Sequence, residues 1–456
     1  MQDKKNIIFF ARVQFAHFYT QLISNQYNSF YVCLNKQEKQ IIESYGKEVE
    51  ACFEEEYDFL EISDIPNDFL QSSYYSDRFL GWLTIDDRIE ILGKEITFWR
   101  KIFNKRKYNY CVHETITLEI EEVMSLIAEE NQCRDMTAIF SFLDGYFYWK
   151  PSPYNSSFSK KMIEDATPTE KHIEVIIDYV KKVKMTGHRP YYSKVKYCSI
   201  SAFYLFLKNY IKILINKFVT YGIIKKDILF FYNSKYNIFK YRHYIFDCAL
   251  IRRFHKNYYN KLENYNHYKK ILFPMHLEPE ATLLYFSPKF SNQVSLIQDI
   301  AKQLPKDYIL AVKEHPAQYG QLRQEEFKKL RERNSNIIFL SIDEDSHSLL
   351  KNVDAIATIT GNVGLEAIIN NIPVILFGNV FYDLHDSVHK IEDMGQFREL
   401  LLNRSLKVPD DRGTILFLSK LLTFFHNGYP LDIRLHADDD NIKKIVYSIE
   451  KEISVE

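Results

Sequence analysis

Short apolar runs of strand length alternate with polar, helix-spaced stretches along much of this chain. The most regular series lies between Asp307 and Gly378. Tyr308-Ile-Leu-Ala-Val-Lys313 is an unbroken run closed by Glu314-His315-Pro316. A polar helical pattern from Gln321 to Arg333 leads to a second run, Ile337-Ile-Phe-Leu340. Ser346 is placed to cap a short helix ending near Lys351. Asp354 to Thr360 forms a third strand, which enters Gly361-Asn-Val-Gly364 and a helix from Leu365 to Asn370; Pro373 to Phe377 is the fourth. Strands and helices alternating at this rhythm predict parallel βαβ units. Such sheets take ligands beyond the carboxyl ends of their strands.

The same rhythm opens the chain. Asn6 to Ala11 reads as a strand, Gln14 to Ser24 as a helix and Phe30 to Leu34 as the next strand. Tyr108 to Val112 is a strand ending at His113-Glu114-Thr115. Thr115 or Thr117 starts a helix through Glu130, and Thr137 to Phe142 leads to Leu143-Asp144-Gly145. Ile271 to Phe273 is a further strand, and Thr414–His426 and Asn441–Ile453 read as helices. These patterns predict an N-terminal Rossmann-like domain over 1–160, a helical insert over 161–268, a C-terminal Rossmann-like domain over 269–405 and terminal helices over 406–456.

Composition narrows the class. The chain has 456 residues with 59 basic and 60 acidic side chains, which marks neither a nucleic-acid nor a membrane protein globally. Its six cysteines show no C-x-x-C spacing and read as reduced thiols. The apolar run Ile7 to Ala11 is too short for a signal peptide, which predicts a cytoplasmic chain. Residues 181–270 stand apart, with twenty Lys/Arg against three acids. Within them Lys208, Lys212, Asn216 and Thr220 form a narrow polar stripe. A lysine at a bilayer centre costs roughly 2.5–3.5 kcal/mol, so the stretch is not a span. It is expected either to pack as a helical insert or to lie on an anionic membrane surface. No RNA-binding signature accompanies it, so nucleic acid is not an expected partner.

Two strand ends carry candidate binding chemistry. Lys313 and His315 alternate with Glu314 and so point the same way from an extended strand. Opposite them, Thr358 and Thr360 offer hydroxyls, Gly361 and Gly364 allow close backbone approach, and the following helix presents free N–H groups. Together these predict a phosphate site, with Glu366 on the helix placed for ribose hydroxyls. His276, Glu278 and Glu280 follow another strand and form a further cluster. In the N-terminal domain, His113, Glu114 and Asp144 are the candidates for a base. Asp343-Glu344-Asp345 has the D-x-D form that holds a metal in some transferases, but acids also favour a helix start there.

Lys313-Glu-His-Pro316, Thr358-Ile-Thr-Gly-Asn-Val-Gly-Leu-Glu-Ala367 and Ile372-Pro-Val-Ile-Leu-Phe-Gly378 resemble bacterial capsule and surface-polysaccharide biosynthesis proteins. Phe273-Pro-Met-His-Leu-Glu-Pro-Glu280 and Phe147–Ser157 extend the resemblance. These are GT-B-type glycosyltransferases, distantly similar to bacterial sialyltransferases and Kdo transferases. The resemblance implies an α/β chain of GT-B type, two Rossmann-like domains facing a cleft. It also implies a metal-independent enzyme that moves an acidic sugar from a CMP donor to a glycan or glycolipid acceptor. His315, Thr358 and Thr360 would hold the donor phosphate, although Ile359 splits the threonine pair. Asp144-Gly145 matches the acidic residue that carries the base. Capsule assembly proteins and the inner membrane face are the implied surroundings. The alternatives are a polyol-phosphate transferase using a CDP-polyol and a non-catalytic component of a capsule assembly complex.

Overall fold

Central strands of a parallel sheet are covered on both faces, so they read as unbroken apolar runs. Ile7–Phe10 and Ile271–Phe273 are such runs, and each residue in them is buried. The computed structural model describes residues 4–66, 85–151, 156–187, 259–277, 281–315, 324–341, 344–431 and 436–454. Most of the basic, aromatic stretch falls outside the described residues, as do Glu278, Glu280, Pro316 and Asp343. Among the described residues no helix is long and apolar enough to cross a membrane.

The chain divides into two compact units, residues 1–157 with 424–456, and residues 158–423. The first unit is built on β1 (Lys5–Phe10), β2 (Tyr27–Cys33), β3 (Val49–Cys52), β4 (Tyr110–His113), β5 (Arg134–Phe140) and β6 (Tyr146–Lys150). The second holds β7 (Lys269–Pro274), β8 (Tyr308–Lys313), β9 (Ile337–Leu340), β10 (Ala355–Thr358), β11 (Val374–Leu376) and β12 (Val388–Lys390). A last short strand, β13 (His426–Asn427), returns to the first unit.

The first sheet runs β13-β6-β5-β4-β1-β2-β3. Its five strands from β5 to β3 are parallel, while β6 and β13 pair antiparallel at one edge. The second runs β12-β11-β10-β7-β8-β9 and is parallel throughout. In both sheets the strand order reverses beside the first strand, between β1 and β4 and between β7 and β10. That reversal is the topological switch point of a doubly wound fold, where a crevice opens beyond the strand ends. The chain thus has the α/β class expected, with two Rossmann-like units.

Each unit has its own core. In the first, Ile445, Ile449 and Ile453 of the helix Asp439–Ser454 lie four residues apart on one face and pack into the cluster holding Phe147 and Trp149. The Trp149 indole N–H donates to Ser448 Oγ at 3.1 Å. In the second, Leu296, Ile297 and Ile300 of the helix Gln293–Gln303 join a cluster with Leu310 and Val312 of β8.

Several boundaries moved from their expected places for local reasons. The helix expected from Gln14 to Ser24 is a single short stretch, Phe15–Tyr19. Asp345, not Ser346, caps the helix Ser346–Leu350, accepting from Ser348 N at 3.0 Å. The helix expected from Thr115 or Thr117 begins at Glu119, because the Glu121 carboxylate reaches back to Thr117 N and Leu118 N.

Candidate functional site

In the second unit the residues expected to bind a phosphate gather at the β7/β10 switch point. His276 lies just past β7, where its backbone is clamped by Gln293. The His276 N–H donates to Gln293 Oε1 at 2.7 Å, and Gln293 Nε2 donates to the His276 carbonyl at 3.2 Å. Its ring meets the end of β10: Thr360 N–H donates to His276 Nε2 at 3.3 Å, and Thr358 Oγ1 lies 3.4 Å from the same nitrogen. A backbone donor needs a lone pair, so Nε2 is unprotonated and the ring carries its proton on Nδ1. Burial, then the charge of His315, pushes the imidazole down to about 3, so it stays neutral.

His315 is close enough to act on His276 and to feel Lys313. Burial and then Lys313 hold His315 below the usual histidine range. Lys313 is buried and also lies within electrostatic reach of Glu344. The strands explain the grouping: Lys313 is the register partner of Pro274, and Met275 N–H donates to the Lys313 carbonyl at 2.8 Å. The ends of β7, β8 and β10 therefore bring His276, His315, Lys313, Thr358 and Thr360 together. Among the described residues the buried Thr360 hydroxyl has no hydrogen-bond partner.

The glycines play different parts from those expected. The Gly361 N–H is spent on Thr358 Oγ1 at 3.2 Å, and a Cβ there would meet that oxygen at 2.8 Å. A Cβ at Gly364 would run into the Tyr382 hydroxyl, so this glycine makes room for that tyrosine. That hydroxyl donates to the Gly361 carbonyl and holds the loop. Glu366 is buried on the helix Val363–Ile369, which packs on the helix Glu170–Thr186, and its charge acts on the Tyr179 phenol. It lies in the first turn of its helix, as expected.

In the first unit the candidates separate. His113 is wholly buried: Nδ1 donates to the Glu114 carbonyl at 2.7 Å and Nε2 to Asp135 Oδ1 at 2.8 Å. Burial opposes its charge, but Asp135 outweighs burial and raises the imidazole to about 9. With both nitrogens donating, His113 has no lone pair for the base role expected of it. Asp144 sits in the β5–β6 turn, where it accepts from the Tyr429 hydroxyl at 3.1 Å, and Gly145 takes the left-handed φ of +77° that the turn requires. Glu114 keeps a partly exposed carboxylate, 22% accessible, on Arg12 Nη1 at 2.8 Å. Burial, then the nearby Glu121 carboxylate, pushes Glu114 up to about 8.

Arg12, Glu121, Asp135, Gln293 and Tyr382 were not among the candidates. Arg12 alone had a visible signal, a charged residue ending an apolar strand at what proves to be a switch point. Among the described residues no group of three or more His, Cys, Asp or Glu side chains could hold a metal.

Two doubly wound units place this chain in the α/β class that takes ligands at its switch points. The sequence profile of the capsule polysaccharide biosynthesis protein family matches residues 125–386, more than half of the chain, and the chain belongs to that family. No curated protein matches it in sequence. Among solved structures it is similar to the β-Kdo 2,7-transferase of Thermosulfurimonas dismutans KpsC, at 11% identity and a TM-score of 0.43, over 92% of this chain and 98% of that one. The β-Kdo 2,4-transferase of the same KpsC matches at 10% identity and a TM-score of 0.39, over 75% of this chain and 86% of that one. The UDP-GlcNAc 2-epimerase of Methanocaldococcus jannaschii matches at 14% identity and a TM-score of 0.26, over 92% and 100%.

Proposed function

We propose that this capsule-biosynthesis chain is a glycosyltransferase that moves an acidic sugar from a CMP-linked donor to a glycan or glycolipid acceptor. The observation that carries the reading is the junction of β7, β8 and β10, where His276, His315 and Lys313 meet the Thr358–Thr360 end. Burial and the Lys313 charge hold His315 low, and burial with His315 holds His276 neutral. A bound phosphate reverses that balance and is held by charge-assisted hydrogen bonds.

In this scheme His315 and Lys313 balance the charge that grows on the departing phosphate, the point at which donors lower a barrier most. The Thr360 hydroxyl and the Nδ1–H of His276 supply neutral donors. The acceptor hydroxyl forms its bond to the anomeric carbon as the bond from that carbon to the phosphate oxygen breaks. The nucleotide leaves with that electron pair, and the hydroxyl proton passes to Glu114. No metal is assigned a role.

Thermal melting with CMP, CDP, UDP and GDP tests the donor site. Cytidine nucleotides should raise the transition by mass action. Stabilisation by UDP or GDP alone would sink the donor assignment. Product analysis then separates a new glycosidic bond from the phosphodiester that a CDP-polyol transferase would make. Failure of every nucleotide to bind points to a non-catalytic component.

A further inference from the structure

We infer that Arg12 and Glu121 are positioning residues for Glu114, fixing its carboxylate and deciding when it can take the acceptor's proton. The inference rests on the transferase reading above and deepens it. Arg12 leaves the end of β1, and its Nη1 bridges two carboxylates, Glu114 Oε1 at 2.8 Å and Glu121 Oε1. Glu121 is completely buried, and its other oxygen accepts from Thr117 N at 2.7 Å, Leu118 N at 3.1 Å and Thr117 Oγ1 at 3.2 Å. Four donors thus reach Glu121, one on Oε1 and three on Oε2, and the side chain is shut away from a substrate hydroxyl. Glu114 is the member of the trio that reaches solvent.

The rest of the neighbourhood fixes these three. Beneath Glu114, His113 holds its carbonyl and is itself tied to Asp135. Beside Arg12 the chain turns through Val13, a β-branched residue at φ +43°, a conformation it adopts only under constraint. Glu38 imposes the constraint: Oε1 accepts from Val13 N at 2.8 Å, while Oε2 accepts from Leu34 N at 2.9 Å and Asn35 N at 3.2 Å. The strained turn aims Arg12 inward at the β1/β4 switch point. The ionisable groups acting on Glu114 or Arg12 are thus Glu121, His113, Glu38 and, through its raised phenol, Tyr19.

One guanidinium among Glu38, Glu114 and Glu121 leaves excess negative charge, and Glu114, which among the described residues has only Arg12 as a donor where the other two also accept from backbone N–H groups, takes up a proton most readily. Glu114 as a base is therefore available only on the alkaline side of about 8. As it accepts the hydroxyl proton, the acceptor oxygen bonds to the anomeric carbon and the donor phosphate leaves with the electron pair of the broken bond.

The test combines the pH profile of transfer with a carbon-13 NMR titration of the Glu114 carboxyl in the full-length protein. The wild-type rate should rise through a limb near 8 and then level. Glu121→Gln removes the like charge and should move both the limb and the titration to lower pH, by about one unit or more. Arg12→Lys, which keeps a charge but loses the planar guanidinium fork and its reach, should move both to higher pH and serves if Glu121→Gln fails to fold. Glu114→Gln should lose roughly 100-fold in rate with CMP affinity unchanged. If the carboxyl titration stays put in folded Glu121→Gln and Arg12→Lys proteins, the inference is overturned. If no nucleotide shifts the melt and no donor is turned over, the transferase reading fails, while the titration still judges the Arg12–Glu121 pair.

Discussion

A histidine at the carboxyl end of a strand invites a catalytic reading, and three such residues in this chain end in three different states. His276 is a neutral acceptor, His315 is a crowded group with a lowered pKa, and His113 is a buried cation paired with Asp135. Removing one partner of a buried pair leaves an uncompensated charge, at about 3–5 kcal/mol. His113→Gln should destabilise the protein by that order in denaturant unfolding. Its pH signature follows from the raised pKa. The folded state binds the proton more tightly than the unfolded chain, so the pair stabilises fully below 6.5 and fades as pH rises through about 9. That alkaline decline should be missing in His113→Gln. His315→Ala should behave oppositely. It sits at the edge of a strand end and not in the core, so folding should survive while transfer falls about 100- to 1000-fold. An unfolded or fully active His315→Ala protein would return this residue to a packing role.

At the scale of elements, the loop from β10 into the helix Val363–Ile369 is held by Tyr382 filling the space over Gly364. Gly364→Ala overpacks that space and should cost about 1–3 kcal/mol. Tyr382→Phe removes the hydroxyl that the new methyl would strike, so the double variant should be less destabilised than the two single effects summed. Additive behaviour in melting would show that the tyrosine is not the obstacle. The strands of this region were legible to the residue: Tyr308–Lys313 and Ile337–Leu340 stand where the apolar runs put them. Burial on both faces leaves little freedom in where such a run starts or stops. What escaped the sequence were contacts between distant segments. Arg12 meets Glu114 and Glu121 across 102 and 109 residues, so no local window reveals the pair. His113 looked available because Asp135 lies 22 residues away on the neighbouring strand. The start of the helix Glu119–Glu130 was misread for a related reason, since a glutamate inside it supplies the cap expected of a threonine.

For the whole molecule, two separate cores imply two responses to ligand. The proposed nucleotide site lies within residues 158–423, and a ligand stabilises the unit that binds it. At a hundredfold excess over Kd, CMP should add about 2.7 kcal/mol to that unit and leave the other transition in place. Hydrogen exchange with and without CMP checks this: protection should rise in β7, β8 and β10, not in β1 or β4. Rising protection in both sheets would mean that the units unfold as one.

The first unit is written in two instalments. Its sheet lacks β13, and its core lacks Ile445, Ile449 and Ile453, until residues 424–456 arrive. A ribosome adds about 5–20 residues each second, so the 266 residues of the second unit take on the order of tens of seconds to emerge. Throughout that wait the strand holding Phe147 and Trp149 is an open edge without its cover, the kind of surface on which nascent chains aggregate. The second unit is whole as soon as it leaves the ribosome. A chain ending at residue 423 should therefore keep a cooperative second unit while residues 1–157 resist folding and attract chaperones. Supplying residues 424–456 in trans should restore protection to β6, a complementation between two distant segments of one unit.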